Sequence, residues 1–446
     1  MENENNKGRR QFLKDAASVA ALGALGAGVL LKSCSESRPM GTAPAFLDKA
    51  PDGRVLKAGL IGCGGRGTGA AINYLNAGPN LQVTALADVF QDRLDRCRRE
   101  LSERLQVEIA DEKCFVGFDA YQALLETDVD VVLLAAPPYF RPAHFEAAVR
   151  ARKHVFMEKP VAVDPVGARA IMASARMADA AGLKVVTGTQ RHHQRDYVTT
   201  YQHIKSGVIG DIVAANCYWN QSQLWFVTPQ PGWTEMEAML RDWVNWTWLS
   251  GDHIVEQHMH NIDVINWFTG KHPVKAVGFG ARHRRRTGDQ YDFFSVDFSY
   301  DNGMHMHSMC RQIDGCANNV SERIVGTSGV SNCQNRIEDH RGNPLWEYGY
   351  PADESGQPGR QVSVSPYDQE IIDLVAAIRQ NTPLNEAEAC AISTMTAIMG
   401  RISAYTGREV TWEEMMNSPM RLGPPTLAFG PVDVPKTVPV PGTGPA

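Results

Sequence analysis

An apolar run ending at Ile61 is followed by Gly62-Cys-Gly-Gly-Arg-Gly67 and then by a helix-forming segment, Thr68 to Leu75. The spacing is G-x-G-x-x-G, and Asp88 closes the next apolar run, 21 residues after Gly67. Few folds accept a strand, a glycine turn, a helix and a second strand in so short a span. The first glycine permits the tight turn, the second lets backbone approach a pyrophosphate, and the third lets helix and strand pack closely. The helix N-terminus offers free N–H groups and positive potential to phosphates. Gly62, Gly64, Gly65, Arg66 and Gly67 are therefore candidate cofactor contacts, with Arg66 open to two readings, a phosphate contact or a solvated side chain. Asp88 is suited to accept hydrogen bonds from the adenosine ribose, and its charge repels a 2′-phosphate, which favours NAD over NADP. The competing reading is a glycine-rich turn with no ligand.

The surrounding pattern extends this unit. Apolar runs at 129–138, 154–160 and 184–190 alternate with helical segments at 92–106, 119–126, 142–152 and 165–182. That alternation predicts a doubly wound parallel sheet over 54–190. After residue 190 the alternation stops. Longer runs of alternating polarity at 211–220, 274–282, 292–300, 303–311 and 321–329 predict a second α/β domain over 191–415, with an open and mainly antiparallel sheet. A continuous helix is predicted over about 252–268, and two more over 367–380 and 386–406. Residues 416–446 form a proline-rich tail, read as extended or disordered. The net charge of −6 gives no reason to expect nucleic acid as a partner. Nine scattered cysteines without a C-x-x-C pair suggest neither a zinc knuckle nor a disulfide scaffold.

Residues 1–34 lie ahead of the fold. Arg9-Arg10, Phe12-Leu-Lys14 and the apolar run Ala16 to Leu31 resemble a twin-arginine export signal, and Leu31-Lys-Ser-Cys34 resembles a lipobox. Residues 35–53 read as a linker. The expectation is a periplasmic protein or one tethered through lipidated Cys34, with membrane contact only at that anchor.

The stretch "GDHIVEQHMHNIDVINW" (251–267) crowds histidines and carboxylates. On one helix Glu256, His260 and Asp263 fall at i, i+4 and i+7 and share a face, while His258 lies about 200° from His260. That stripe suits a histidine base held by carboxylates rather than a metal cage, so no metal is expected. His305 and His307 read as ordinary strand alternation. The tryptophans at 225, 233, 243, 246 and 248 are dense; most read as core, some as the lining of a glycan cleft.

In order, the glycine fingerprint, Pro137 with His144, Glu158-Lys159-Pro160 and the acidic-His-Asp helix resemble the Gfo/Idh/MocA oxidoreductases across about 55–415. The resemblance implies an N-terminal Rossmann nicotinamide domain with Pro137, His144, Glu158 and Lys159 near the cofactor. It also implies a C-terminal domain whose open sheet joins subunits into a homo-oligomer, with a sugar or cyclitol bound between the domains. It places Lys159 near both nicotinamide and substrate, and matches the family's D-x-G-x-H-x-x-D helix to Glu256, His258, His260 and Asp263. Glu and His here replace the family's first Asp and Gly. Gln190 and Arg191 are candidate cleft residues by position alone.

These readings converge on oxidation of a secondary hydroxyl of a sugar, glycoside or cyclitol. His260 takes the proton, Glu256 or Asp263 orients its ring, and Lys159 donates to the substrate oxygen. Export in the folded state implies that the cofactor travels tightly bound, since a periplasm holds no free NAD pool. Its hydride must then return to a second substrate or be reused within one cycle. Two alternatives stand beside this reading. One is an NAD-dependent glycoside hydrolase working by oxidation, elimination, hydration and reduction, although the Tyr-Pro-Thr-His stretch associated with that subgroup is absent. The other is a glycan-binding lipoprotein without turnover.

Overall fold

The computed structural model describes residues 44–352, 357, 359 and 361–443. The arginine pair, the apolar run and Cys34 lie outside the described residues.

Strands β1 (Leu56–Ile61), β2 (Leu81–Asp88), β3 (Cys114–Val116), β4 (Val131–Leu134), β5 (His154–Met157) and β6 (Val185–Thr187) form one parallel sheet, in the order β3-β2-β1-β4-β5-β6. Helices Gly65–Asn76, Gln91–Leu105, Ala120–Leu125, Arg141–Arg150 and Pro165–Ala180 alternate with them. Every side chain of β4 is buried, as a strand covered on both faces requires. Strand order reverses between β1 and β4, so a crevice opens beyond their C-terminal ends. Gly62 follows β1 there with φ +99°, and a Cβ on it would strike the backbone of Ala136, which follows β4. A Cβ on Gly67 would overlap the Gly62 carbonyl. Both positions are closed to any side chain.

The second sheet has nine strands: β7 (Ile212–Gln221), β8 (Lys275–Ala281), β9 (Phe293–Ser299), β10 (His305–Gln312), β11 (Asn319–Gly326), β12 (Val330–Ser331), β13 (Arg336–Glu338), β14 (Pro344–Glu347) and β15 (Val410–Thr411). Their order is β14-β13-β12-β11-β7-β10-β9-β8-β15. All pairs are antiparallel except the central β7–β10 pair, which is parallel and makes the sheet mixed. One face packs on helices Met259–Thr269 and Ala387–Thr406. The other stays open, with Val277 and Phe279 exposed and His305, His307 and Met309 alternating outward along β10.

The continuous helix predicted over 252–268 is two helices, His253–Glu256 and Met259–Thr269, broken at Gln257 and His258. Local amphipathicity cannot see this break, because its cause is tertiary. His258 is fully buried and its Nε2 meets Ser308 Oγ at 2.7 Å, while the Gln257 amide is held by Gln312. Two β10 residues thus draw consecutive side chains inward, which a regular helix would point about 100° apart.

Helix Pro366–Gln380 follows β14 in sequence but packs on the first sheet. Ile371, Ile372, Leu374 and Val375 share one buried cluster with Leu56, Ala58, Leu60 and Tyr74. The proline-rich tail is extended and fastened: Val432 donates its N–H to Glu235, Leu422 donates to Asp164, and the Pro439 carbonyl accepts from Tyr291. Leu374 is fully buried. Leu374→Ala should therefore cost about 2–5 kcal/mol in urea unfolding of the first domain, for lost burial plus the cavity left behind. A cost below about 1 kcal/mol would show that this helix is not part of that core.

Candidate active site

Two cavities meet beyond the C-terminal ends of β1, β4 and β5. The first is lined by Gly62, Gly64, Asp88, Arg93, Pro137 and His144, and the second by Arg66, Glu158, Lys159, Gln190, Trp219, Glu256, Gln257, His260 and Tyr367. Ala135, Ala136 and Trp243 line both, so the two are one continuous space.

The first cavity has the form of a dinucleotide groove. Gly64 caps helix Gly65–Asn76 without any side-chain hydrogen bond, and the space over Gly65 is open. The first N–H groups of that helix remain available to a phosphate. The Asp88 carboxylate accepts from the N–H of Cys63 at 2.7 Å and of Phe90 at 2.9 Å. Burial raises the Asp88 pKa, and these two N–H groups pull it back. Each oxygen keeps a lone pair for a ribose hydroxyl. His144 stacks on Phe140 at 5.8 Å, and burial with Arg141 beside it depresses its pKa to about 3. It serves as a neutral aromatic wall. The residues present therefore fit NAD.

Arg93, on the first turn of the next helix, also lines this groove. Burial lowers its pKa, and the Asp88 charge opposes that. Sequence reasoning passed it over, although an arginine five residues beyond the ribose-binding acid is the signal a 2′-phosphate site uses.

Arg66 lines the second cavity with its side chain 33% exposed, and its guanidinium is already engaged by carboxylates. Its Nε donates to Glu158 at 2.5 Å and its Nη2 to Glu370 at 2.8 Å, with the guanidinium over the Phe156 and Tyr367 rings. The glycine loop is thereby tied to Glu-Lys-Pro and to helix Pro366–Gln380. Burial pushes the Glu370 carboxyl well up, the Arg66 guanidinium opposes that, and the neighbouring Glu158 charge adds to it.

The break after Glu256 frees a carbonyl. In a regular helix the Glu256 carbonyl would accept from the His260 N–H. Here that N–H goes to Gln257, and Lys159 Nζ donates to the Glu256 carbonyl at 2.5 Å, with its carboxylate 3.3 Å away. Lys159 and Glu256 form a nearly buried pair at the cavity wall.

His260 lines the same cavity, its ring stacked on Trp219 at 5.7 Å. Neither Glu256 nor Asp263 holds that ring. Asp263 lies behind it and pairs with His192 Nε2 at 2.7 Å, lining neither cavity. The expected three-residue stripe is therefore split: Glu256 turns to Lys159, Asp263 to His192. Burial first, then the charges of Lys159, Arg191 and His192, drive the His260 pKa well below its usual value. Gln190 does face the cavity, and its buried Oε1 has no partner. Arg191 sits behind Trp219, paired with Glu322 at 2.7 Å. His258 and His253 are buried elsewhere, the latter against Asp252 at 2.9 Å. Trp219, Gln257 and Tyr367 were missed in the sequence, since only the folded chain brings three distant segments to one wall.

Comparison with known proteins agrees with this geometry. Residues 56–187 match the model of an oxidoreductase family with an NAD-binding Rossmann fold, and 197–331 match the GFO/IDH/MocA C-terminal domain. The chain belongs to the Gfo/Idh/MocA oxidoreductases. It is 32% identical over 158 residues to a dTDP-3,4-didehydro-2,6-dideoxy-alpha-D-glucose 3-reductase of Actinomadura kijaniata, covering 35% of this chain and 43% of that protein. It is 32% identical over 163 residues to glycosyl hydrolase family 109 protein 2 of Shewanella sp. strain ANA-3, covering 34% of each. The chain thus spans less than half the length of these curated relatives. Scyllo-inositol dehydrogenase from Lactobacillus casei, solved with NAD(H) and scyllo-inositol, superposes with TM-score 0.58 at 21% identity, over 80% of this chain and 99% of that one, which establishes the fold.

In this Gfo/Idh/MocA protein Asp88 and Arg93 oppose each other at one end of the groove. Removing the carboxylate in Asp88→Ala should weaken NAD about 10–100-fold, the loss expected for charge-assisted hydrogen bonds. NADP binding should hold or improve, because Arg93 remains. Titrating apoprotein with both reduced cofactors checks this, and an unchanged NAD-to-NADP ratio would contradict it.

Proposed function

We propose that this chain is an exported, NAD-containing oxidoreductase acting on a secondary hydroxyl of a sugar, glycoside or cyclitol. The observation that carries this reading is the second cavity. An ammonium, an imidazole and two tryptophan faces (Trp219 and Trp243) converge there, and the cavity opens directly onto the dinucleotide groove. Such a mix of apolar walls and few polar groups suits a small polyol. NAD, when bound, supplies the hydride acceptor.

The protein's own part is proton handling. Because burial and nearby cations hold its pKa well below the usual value, His260 is the unprotonated partner available to accept a proton. Desolvation and the neighbouring Lys159 charge make the imidazolium costly, so the transfer relies on Lys159 donating to the substrate oxygen and favouring the alkoxide. Lys159 can do so by exchanging its bond to the Glu256 carbonyl for one to the substrate, while the Glu256 carboxylate balances its charge.

The similarity to a glycosyl hydrolase family 109 protein favours a second reading, in which oxidation is followed by elimination, hydration and reduction on the same site. Release of aglycone from an aryl glycoside without added NAD selects the hydrolase. A lasting absorbance rise near 340 nm without bond cleavage selects the oxidoreductase. Exposed Val277 and Phe279 on β8 and Met309 on β10 support a homo-oligomer formed across the open sheet face. Arg9-Arg10, the apolar run and Cys34 support twin-arginine export and a lipid anchor, and with them a retained cofactor.

Replacing the base in His260→Ala should lower the rate about 10²–10⁴-fold. Near-wild-type turnover in that variant would remove His260 from the mechanism. The pH profile gives an independent check. A histidine with a depressed pKa stays unprotonated as pH falls past about 6.5, its unperturbed value. The rate should then fall only on further acidification, through the lowered value. An acid limb centred at pH 7 or above in single-turnover measurements would contradict this.

A further inference from the structure

Further aromatic surface lies beyond Trp243, which lines both cavities. Trp225 meets Trp243 edge to face, ring centroids 6.2 Å apart. Trp225 is 46% exposed and the adjacent Phe226 is 42% exposed. Isolated exposed aromatic residues are ordinary. Trp225, however, packs on a residue of the cavity wall, and the next residue, Phe226, is exposed as well, which makes an apolar ledge beside the cavity.

The backbone beneath these rings is held firmly. Asn245 Nδ2 donates to the Trp225 carbonyl at 3.3 Å, and the Val227 N–H donates to Asp242 at 2.8 Å. Asp242 and Asn245 are buried and bonded to each other at 2.8 Å. Buried Arg285 donates to Asn245 at 2.9 Å and to Gln312 at 2.5 Å, and Gln312 donates to Gln257 on the cavity wall. One buried polar chain therefore ties the segment under the ledge to the wall of the cavity. Buried networks of this kind rigidify what they hold. Here they fix the backbone that carries two half-exposed aromatic residues outside the buried apolar clusters.

Resting on the reading of the site as a polyol oxidoreductase, we propose that Trp225 and Phe226 form an outer subsite for a ring joined by a glycosidic bond to the reacting sugar. The preferred substrates are then disaccharides or aryl glycosides, rather than free monosaccharides or cyclitols. A pyranose presents axial C–H groups on a face, and an aryl group presents a π-face; either lies against an indole with large apolar contact. The reacting unit occupies the inner cavity beside Lys159 and His260.

The test uses purified holoprotein and a panel of common hexoses, myo-inositol, and the methyl glycosides, p-nitrophenyl glycosides and disaccharides of the same hexoses, with single-turnover reduction followed near 340 nm. For whichever sugar reacts, its ring-bearing glycoside should show kcat/KM at least about tenfold above the methyl glycoside, mainly through KM. Trp225→Ala should abolish most of that advantage while lowering the methyl glycoside far less, and Phe226→Ala should do so in part. Disaccharides and aryl glycosides read separately show which ring the ledge takes. Equal kcat/KM for methyl and ring-bearing glycosides in the wild type overturns the proposal, as does an equal loss for both in Trp225→Ala. A fall in oligomeric mass of Trp225→Ala with the ratio preserved overturns it in favour of a contact between copies. If nothing in the panel reacts, the oxidoreductase reading fails. The ledge is then judged by calorimetry with the p-nitrophenyl glycosides: weaker binding to Trp225→Ala supports it, equal or absent binding overturns it.

Discussion

The bond from Lys159 Nζ to the Glu256 carbonyl joins the two domains at the point where chemistry is expected. It depends on three separate features. The turn after β5 must carry a lysine toward the crevice. The chain must break its helix after Glu256 so that a carbonyl is free. The β10 strand must hold the break open through Ser308 and Gln312. An ammonium parked on a carbonyl is desolvated and yet satisfied, so it can be handed to a substrate oxygen without a rearranged water shell.

Around that contact the protein places charges more for position than for stability. Arg66 bridges Glu158 and Glu370, His192 meets Asp263, and His193 lies between Asp373 and Glu386. Buried ion pairs rarely exceed well-packed apolar residues in stability, because desolvation offsets the Coulomb gain. Their arrangement here fixes geometry. Arg66 locks the glycine loop to Glu-Lys-Pro and to helix Pro366–Gln380. The buried Arg401 donates to the carbonyls of Val163 and Gly251, just beyond Glu-Lys-Pro and just before the broken helix. The second domain is therefore held in register with the first by directional bonds at the crevice, where a purely apolar contact would tolerate sliding.

The proline-rich tail and the segment 235–249 contribute in another way. Met236, Met239, Leu240, Trp248 and Leu249 share a small apolar cluster with Phe90, just after Asp88, and with Val432 of the tail. Arg241 stacks 4.0 Å over Phe90 and pairs with Asp92. Two distant parts of the chain thus cover one end of the dinucleotide groove.

Local rules carry well for this protein where structure is local. The glycine loop, the buried strands and the helices between them follow from periodicity and turn chemistry. The helix ends fall within two residues of expectation, while β4, β5 and β6 stop three or four residues earlier than the apolar runs do. Gly62, Gly64, Asp88 and His260 were legible because each sits in a motif whose spacing has a physical reason, and Lys159 only because Glu158-Lys159-Pro160 resembles a family motif. The split of Glu256 from Asp263, the turn of Arg66 toward carboxylates, the parallel β7–β10 pair and the return of helix Pro366–Gln380 to the first sheet were not legible. Each is decided by a partner tens to hundreds of residues away, and a one-dimensional pattern holds no term for that partner. The amino-acid sequence alone determined that a nucleotide groove and a polar, histidine-bearing segment must exist. Only tertiary structure decided that the segment breaks, because buried contacts to β10 outweigh the intrahelical bonds of one turn, and that break is what gives Lys159 its place.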